Sequence, residues 1–185
     1  MELQASRLRA RLGPQGEPIL LLDQDRSRWD QLLIRRGLAA LDRSAALRRP
    51  PGSYRLQAEI AAVHARARAA DQTDWQRIVA LYETLIGLEP SPVVELNRAM
   101  AVAMANGPAA GLELVDRLRE EPALEGYHLL PSVRGDLLAR LGRHEEARAE
   151  FEQAASLTRN LRERRLLEER ALSAAQAATA SRAPV

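Results

Sequence analysis

Apolar residues recur every three or four positions along most of this chain, and clusters of Pro, Gly and polar residues interrupt them. Positions three and four apart share one face of a helix, so the pattern from Ser53 onward predicts a series of helices. A turn at 70–73 joins the first two helices into a hairpin, and Thr73 with Gln76 has the spacing of a capping box for the second helix. That helix is expected to end at Pro90.

Two further hairpins are predicted in the second half of the chain. Ser91 and Pro92 have the residue types of an N-cap and a first helical position, and Gly107 is suited to end the helix that they open. Gly142 marks the turn of the third hairpin. Asn160 is expected to cap a last, more charged helix that fades into a frayed tail.

The region before residue 50 follows a less regular pattern. Residues 1–12 have helical spacing but no capping residue, which favours a helix that continues from a preceding domain. A Gly- and Pro-rich loop and an extended apolar tether at 19–22 come next. Ser27 and Asp30 have capping-box spacing and predict another helix, with Trp29 on its apolar face.

One segment, RGDLLARLGRHEEARAEFEQAASL, has small residues where two helices of a hairpin would cross, at Gly135 and Ala147, and a glycine turn at Gly142. This arrangement resembles a tetratricopeptide repeat, a helical hairpin of about 34 residues. Weaker copies precede it. We predict an all-α fold of antiparallel helical hairpins, stacked as a tetratricopeptide-like right-handed solenoid with a terminal capping helix. The alternative is an ordinary antiparallel helical bundle.

Composition agrees with an all-α fold and narrows the function. Apolar residues make up 46% of the chain, mostly Ala and Leu, and aromatic residues only 3%, which favours helix over strand. The chain has no Cys, and all 27 of its basic residues are Arg. Thiolate chemistry, Schiff bases and a phosphate-loop lysine are therefore excluded. With 25 acidic residues the formal net charge is only +2, so the charge balance does not indicate a nucleic-acid binder.

We expect a cytoplasmic chain with no membrane span, no cofactor, no metal and no catalytic function. It has no uninterrupted apolar run of about 20 residues. Its three histidines lack metal-ligand spacing, and its paired acids have no nucleophile or phosphate loop beside them. His64 lies on the apolar side of its helix, where a hydrogen-bonded core histidine is more common than a ligand.

The densest polar segment beside an aromatic residue is DQDRSRWD, at residues 23–30. It is either a contact patch for a partner or a helix cap with a buried Trp and local ion pairs. Its candidate interaction residues are Asp25, Arg26, Arg28, Trp29 and Asp30. If Trp29 docks on the first hairpin, its truncation should destabilise the chain, whereas replacing Arg26 or Arg28 by Ala should spare stability and weaken contacts with a partner.

Asn97 and Arg98 are further candidates, because they are polar residues in an Ala-rich predicted helix. Polar side chains contribute little to a stacking core. They either form hydrogen bonds between hairpins or line a binding groove.

Several strings together resemble one family: DRSRWD, PSPVVELNRA and LGRHEEA, within a likeness that covers about residues 1–175. The chain is similar to the long C-terminal extension of a subgroup of bacterial extracytoplasmic-function (ECF) sigma factors. The resemblance implies regulation of transcription initiation through contacts with sigma region 2 and region 4 of the same full-length protein or with RNA polymerase. Promoter DNA would be reached only through those sigma domains.

The resemblance also implies a division of labour along the chain. Residues 1–49 would be a helix, tether and docking helix that link to the sigma domains, and residues 50–185 would be the repeat region. The residues that match the signatures of the family are Asp25, Arg26, Arg28, Trp29, Asp30, His64, Trp75, Ser91, Pro92, Asn97 and Arg98. A free-standing repeat adaptor that binds a separate peptide or protein is the alternative.

Overall fold

The computed structural model describes residues 1–182, and that part of the chain is all-helical, with neighbouring helices stacked on one another. The predicted fold class is confirmed at this level. Its helices are α1 (Glu2–Ala5), α2 (Gln31–Ala46), α3 (Ser53–Arg66), α4 (Trp75–Leu88), α5 (Pro92–Asn106), α6 (Pro108–Arg117), α7 (Leu129–Arg140), α8 (His144–Leu157) and α9 (Leu161–Arg182). Short 3-10 turns lie at Leu8–Ala10, Arg26–Arg28, Ala70–Gln72, Leu118–Glu120 and Pro122–Leu124.

The chain forms two compact units, which divide after Pro90. The first unit contains α1–α4 and the second contains α5–α9. The functional division predicted after residue 49 stays a prediction. None of the described helices has the length and hydrophobicity needed to cross a membrane.

The continuous helix predicted over residues 1–12 is wrong. α1 ends at Ala5, and the Ser6 carbonyl accepts a hydrogen bond of 2.9 Å from the backbone N–H of Asp30. This oxygen would otherwise bond to the N–H four residues later, so the helical ladder stops. Leu8 and Leu12, which carried the predicted spacing, are 61% and 44% exposed.

Two predicted capping boxes are also wrong, because an aspartate caps each of the two helices instead. Ser27 donates its hydroxyl hydrogen to Asp25 at 2.6 Å, and α2 is capped instead by Asp30, whose carboxylate accepts from two backbone N–H groups at 2.9 and 3.1 Å. The Thr73 hydroxyl accepts from an arginine, and Asp74 caps α4 by accepting from the N–H of Arg77 at 2.9 Å.

The hairpin turns of the second unit lie where the sequence predicted them. Gly107 connects α5 to α6 with a φ of 98°, and Gly142 connects α7 to α8 with a φ of 75°. A side chain at either position would be strained. Asn160 caps α9 by accepting from the N–H of Arg162 at 3.0 Å. α9 stays helical to Arg182, further than predicted, and the rest of the predicted frayed tail lies outside the described residues.

Two glycines allow the helices of these hairpins to approach closely. A Cβ at Gly135 on α7 would lie 2.7 Å from the ring of Phe151 on α8, as expected of the small crossing residue predicted there. A Cβ at Gly111 on α6 would lie 2.8 Å from the carbonyl oxygen of Ala99 on α5. Around these crossings lies one apolar core that reaches from α5 to α9.

Candidate functional site

The DQDRSRWD segment forms a 3-10 turn that leads into α2. Asp25 caps this turn and is exposed, as is Arg28. The hydroxyl and then the backbone N–H of Ser27 donate to the Asp25 carboxylate and lower its pKa. Asp30 is partly buried and is occupied in capping α2. Asp25 and Asp30 therefore act as helix caps, which is the second of the two interpretations of this segment.

Arg26 is buried, with 8% of its surface exposed. Its Nη1–H group donates to the carbonyl of His64 at 2.8 Å and to that of Ala67 at 2.9 Å, and its Nη2–H group donates to the Thr73 hydroxyl at 2.9 Å. The two carbonyls lie at the C-terminal end of α3, which carries partial negative charge and favours a cation. Arg26 therefore joins its own turn to the α3–α4 hairpin. The expectation that replacing it would spare stability is revised.

Trp29 is 3% exposed and packs with Ala10 and Ile34. The guanidinium carbons of Arg7 and Arg26 lie 5.7 and 5.1 Å from its ring centroid, within the range of a cation–π interaction. The indole thus anchors the N-terminal segment to α2 and lies between this segment's two guanidinium groups and the core.

His64 on α3 is 7% exposed, and its ring meets that of Trp75 edge-on, with 5.2 Å between centroids. Burial, followed by the positive charges of Arg7 and Arg26, lowers the pKa of His64 to about 4. The imidazole is therefore neutral at pH 7. Its Nδ1 atom is buried without a hydrogen-bond partner among the described residues, so it is a core histidine but not a fully hydrogen-bonded one.

Arg7 was missed as a site residue. Burial, followed by the charges of Arg11 and Arg26, lowers its pKa to about 10. Arg7 comes four residues after the buried Leu3 and three before the buried Ala10, and that spacing was the available signal. The apolar spacing of Leu8 and Leu12 on a different face of the same segment is the more obvious pattern.

The exposed part of this region borders an open depression of about 660 Å³. Its lining consists of Arg9, Ser27, Arg28, Trp29 and Asp30. No carboxylate of the described residues lies within 4.0 Å of the guanidinium of Arg28. Arg28 is therefore available to a partner that approaches this depression.

Asn97 and Arg98 belong to the second unit, on α5. Asn97 is exposed, and Arg98 is partly buried. The Nε–H group of Arg98 donates to Glu95 at 2.9 Å, one turn earlier in the same helix. Asn97 thus lies on the surface, whereas Arg98 takes part in an ion pair within its own helix. In the part of the chain that the structure describes, no group of three His, Cys, Asp or Glu residues is placed to hold a metal ion.

Comparisons with known proteins match this chain to sequences without an assigned role. Residues 1–45, which include the DQDRSRWD segment, match a family of unknown function, DUF6596. An uncharacterized protein of Rhizobium meliloti (strain 1021) is 48% identical over 161 residues, which cover 87% of this chain and 37% of that protein. The chain thus spans little more than a third of the length of this relative. No solved structure matches it.

Proposed function

We propose that this chain is the regulatory, protein-interaction part of a bacterial ECF sigma factor, with no catalytic role. It would act in the cytoplasm and modulate transcription initiation by contacting the sigma domains or RNA polymerase. The observation that carries the proposal is the match to the Rhizobium relative, in which the equivalent of this chain makes up 37% of a longer protein. This proportion fits an extension that is joined to further domains. The strings DRSRWD, PSPVVELNRA and LGRHEEA supply the likeness to the C-terminal extension of sigma factors.

The proposal includes a tetratricopeptide-like architecture for the hairpins α3–α4, α5–α6 and α7–α8. Support comes from the α7–α8 hairpin, where Gly135 lies under Phe151 and Gly142 forms the turn. Stacked hairpins of this kind present extended surfaces that suit protein partners.

We place the contact with the partner at the depression beside Trp29. Trp29 and Arg26 are buried and fix the backbone of the 3-10 turn, whereas Asp25 and Arg28 of the same turn are exposed. A rigid backbone that presents exposed polar side chains loses little conformational entropy on binding. The buried members of the motif would therefore position the exposed ones.

The experiment is transcription from a cognate promoter by the full-length protein with RNA polymerase. Arg28→Ala should change the transcript yield several-fold and leave the thermal midpoint within a degree of the wild type. Arg43→Ala is the matched control, because Arg43 is an exposed arginine on α2 of the same unit. It should change neither quantity.

Two outcomes would contradict the proposal. If the native gene encodes no sigma region 2 and region 4 before these residues, the chain is no sigma-factor extension, and a free-standing adaptor becomes the better explanation. If Arg28→Ala and Arg43→Ala transcribe equally, the contact does not lie at the depression.

A further inference from the structure

The interior around Trp29 contains an unusual group of unpartnered nitrogen atoms. They are Arg7 Nε, Arg26 Nε, Trp29 Nε1 and His64 Nδ1, each buried and without a hydrogen-bond partner among the described residues. Buried polar atoms in folded proteins nearly always have such partners. Three of these residues have more than nine-tenths of their surface buried, so bulk water does not readily supply the missing bonds.

The same interior holds two positive charges without a carboxylate paired to them. The Arg7 side chain donates to the neutral Gln4, and that of Arg26 donates to two carbonyls and a hydroxyl. No ion pair within 4.0 Å involves Arg7 or Arg26 in the described part of the chain. Asp71 acts on Arg26 electrostatically but is not paired with it. A buried charge without a directly paired counter-charge is costly, and an anion beside it would offset that cost.

These groups are neighbours around the indole ring of Trp29. Both guanidinium carbons lie within 6 Å of its centroid, and both positive charges act on the His64 imidazole. Arg7 is partly exposed, so this group of side chains reaches solvent at Arg7.

We propose that Arg7, Arg26, Trp29 and His64 form a binding site for a small oxyanion, a carboxylate or a phosphate. Three of the unpartnered atoms carry N–H groups that can only donate, and neutral His64 also donates when its proton lies on Nδ1. The ligand must therefore be an acceptor, and a negatively charged oxygen forms the strongest hydrogen bonds with guanidinium groups. This site goes beyond the proposed regulatory role. The anion site and the regulatory role are independent proposals, and each can be correct if the other is wrong.

The test is thermal unfolding of the 185-residue chain followed by tryptophan fluorescence. Both tryptophans, Trp29 and Trp75, belong to the first unit, so the signal reports on the unit that contains the site. The probes are inorganic phosphate and succinate, titrated at constant ionic strength with chloride as the balancing ion, because ionic strength alone screens charges. We expect a rise of several degrees in the midpoint that saturates with at least one probe.

Variants locate the response. Arg7→Gln should raise the half-saturating anion concentration at least tenfold. Trp29→Phe keeps an aromatic ring but removes the N–H group, and it should raise this concentration several-fold. Arg35→Gln is the control for loss of one positive charge, because Arg35 is exposed on α2, and it should bind like the wild type. Far-UV circular dichroism establishes that each variant is folded.

The relative response to the two probes distinguishes a phosphate ligand from a carboxylate ligand. No saturable shift with either probe in the wild type would overturn the proposal. An equal shift in Arg7→Gln, Arg35→Gln and the wild type would also overturn it, because the anions would then act on the overall charge of the chain.

Discussion

The two compact units place arginine beside their cores in opposite ways. In the first unit, Arg26 is buried and donates to backbone carbonyls and a hydroxyl. In the second unit, Arg134 on α7 bridges Asp116 on α6 and Glu150 on α8, at 2.7 and 2.5 Å. Arg170 on α9 pairs with Asp136 and stacks over the Phe151 ring, 4.3 Å from its centroid. The guanidinium of Arg26 thus donates to neutral groups, whereas those of Arg134 and Arg170 pair with carboxylates.

This difference between the arginines follows from the apolar core that each unit contains. Five helices of the second unit share one apolar core, and Arg134 and Arg170 lie at the edge of that core, where their charges meet acids. The first unit must attach an N-terminal segment with little regular helix. The side chains of Trp29 and Arg26 make that attachment. The first unit should therefore depend on single side chains more strongly than the second.

The largest effect is expected for Trp29→Ala. Truncating a buried aromatic side chain leaves a cavity, and the expected loss in free energy of unfolding is about 3–5 kcal/mol. Denaturant unfolding followed by the remaining tryptophan, Trp75, measures it. Tyr54→Ala is the control, because Tyr54 is 87% exposed on α3, and it should cost at most about 0.5 kcal/mol. Equal losses for the two variants would show that Trp29 does not anchor the segment.

The second prediction concerns pH. Because His64 has a pKa of about 4 in the folded chain against an ordinary 6.5, the unfolded chain binds more protons between these values. Stability that is fully present above about pH 6.5 is therefore lost as the pH falls towards 4, by on the order of 3 kcal/mol. The positive groups that face His64 are Arg7 and Arg26, which stay charged throughout this range.

His64→Gln should remove this contribution, so its fluorescence-detected stability should fall less than that of the wild type between pH 6.5 and 4. Carboxylates are common to both proteins and cancel in the comparison. His144→Gln in the second unit should keep the wild-type pH dependence of the fluorescence transition. An unchanged dependence in His64→Gln would mean that His64 is accessible to protons in the folded chain.

The third prediction revises the expectation for the arginines of the turn. Arg26→Ala leaves the carbonyls of His64 and Ala67 without their donor. Unsatisfied buried acceptors are costly, and we expect a loss of roughly 2–3 kcal/mol, measured by urea unfolding. Arg28→Ala, two residues later and exposed, should unfold like the wild type. If Arg26→Ala is as stable as the wild type, the hydrogen bonds of Arg26 contribute nothing to the stability of this unit.

The smallest effect is expected in the second unit. Arg134→Ala breaks two ion pairs that are partly shielded from solvent, and we expect a loss of about 1–2 kcal/mol, followed by circular dichroism. Arg148→Ala breaks an exposed pair with Glu152 on one face of α8 and should cost no more than about 0.5 kcal/mol. A loss for Arg134→Ala as large as that for Arg26→Ala would remove the contrast between the units.

Helix positions in the second half of the chain could be predicted because local chemistry determines them. Gly107, Gly142 and Asn160 act within a few residues of their own positions, so the sequence contains the whole signal. The N-terminal segment was predicted less well. α1 stops early because the Ser6 carbonyl bonds to Asp30, 24 positions away, and no local pattern reveals that partner.

The candidate site shows the same limit. Sequence reasoning selected Arg26, Trp29 and His64, which the structure brings together with Arg7 in one interior. It treated Arg26 as a surface residue, because the carbonyls that compensate its burial belong to α3 and lie 38 and 41 positions further along the chain. Arg26 can be buried only because the fold brings these distant carbonyls to it, and the sequence alone does not show that they meet.

The attachment made by Arg26 also determines the order in which the first unit can form. Its bond to Thr73 closes a loop of 47 positions, and the entropic cost of closure must be met before that contact contributes any stability. Adjacent hairpins such as α7–α8 involve far shorter separations and belong to the contacts that form quickly. During synthesis, these contacts of the N-terminal segment can form only after α3 and Thr73 have left the ribosome. We expect the first 30 residues to be among the last to become protected from hydrogen exchange as this unit folds.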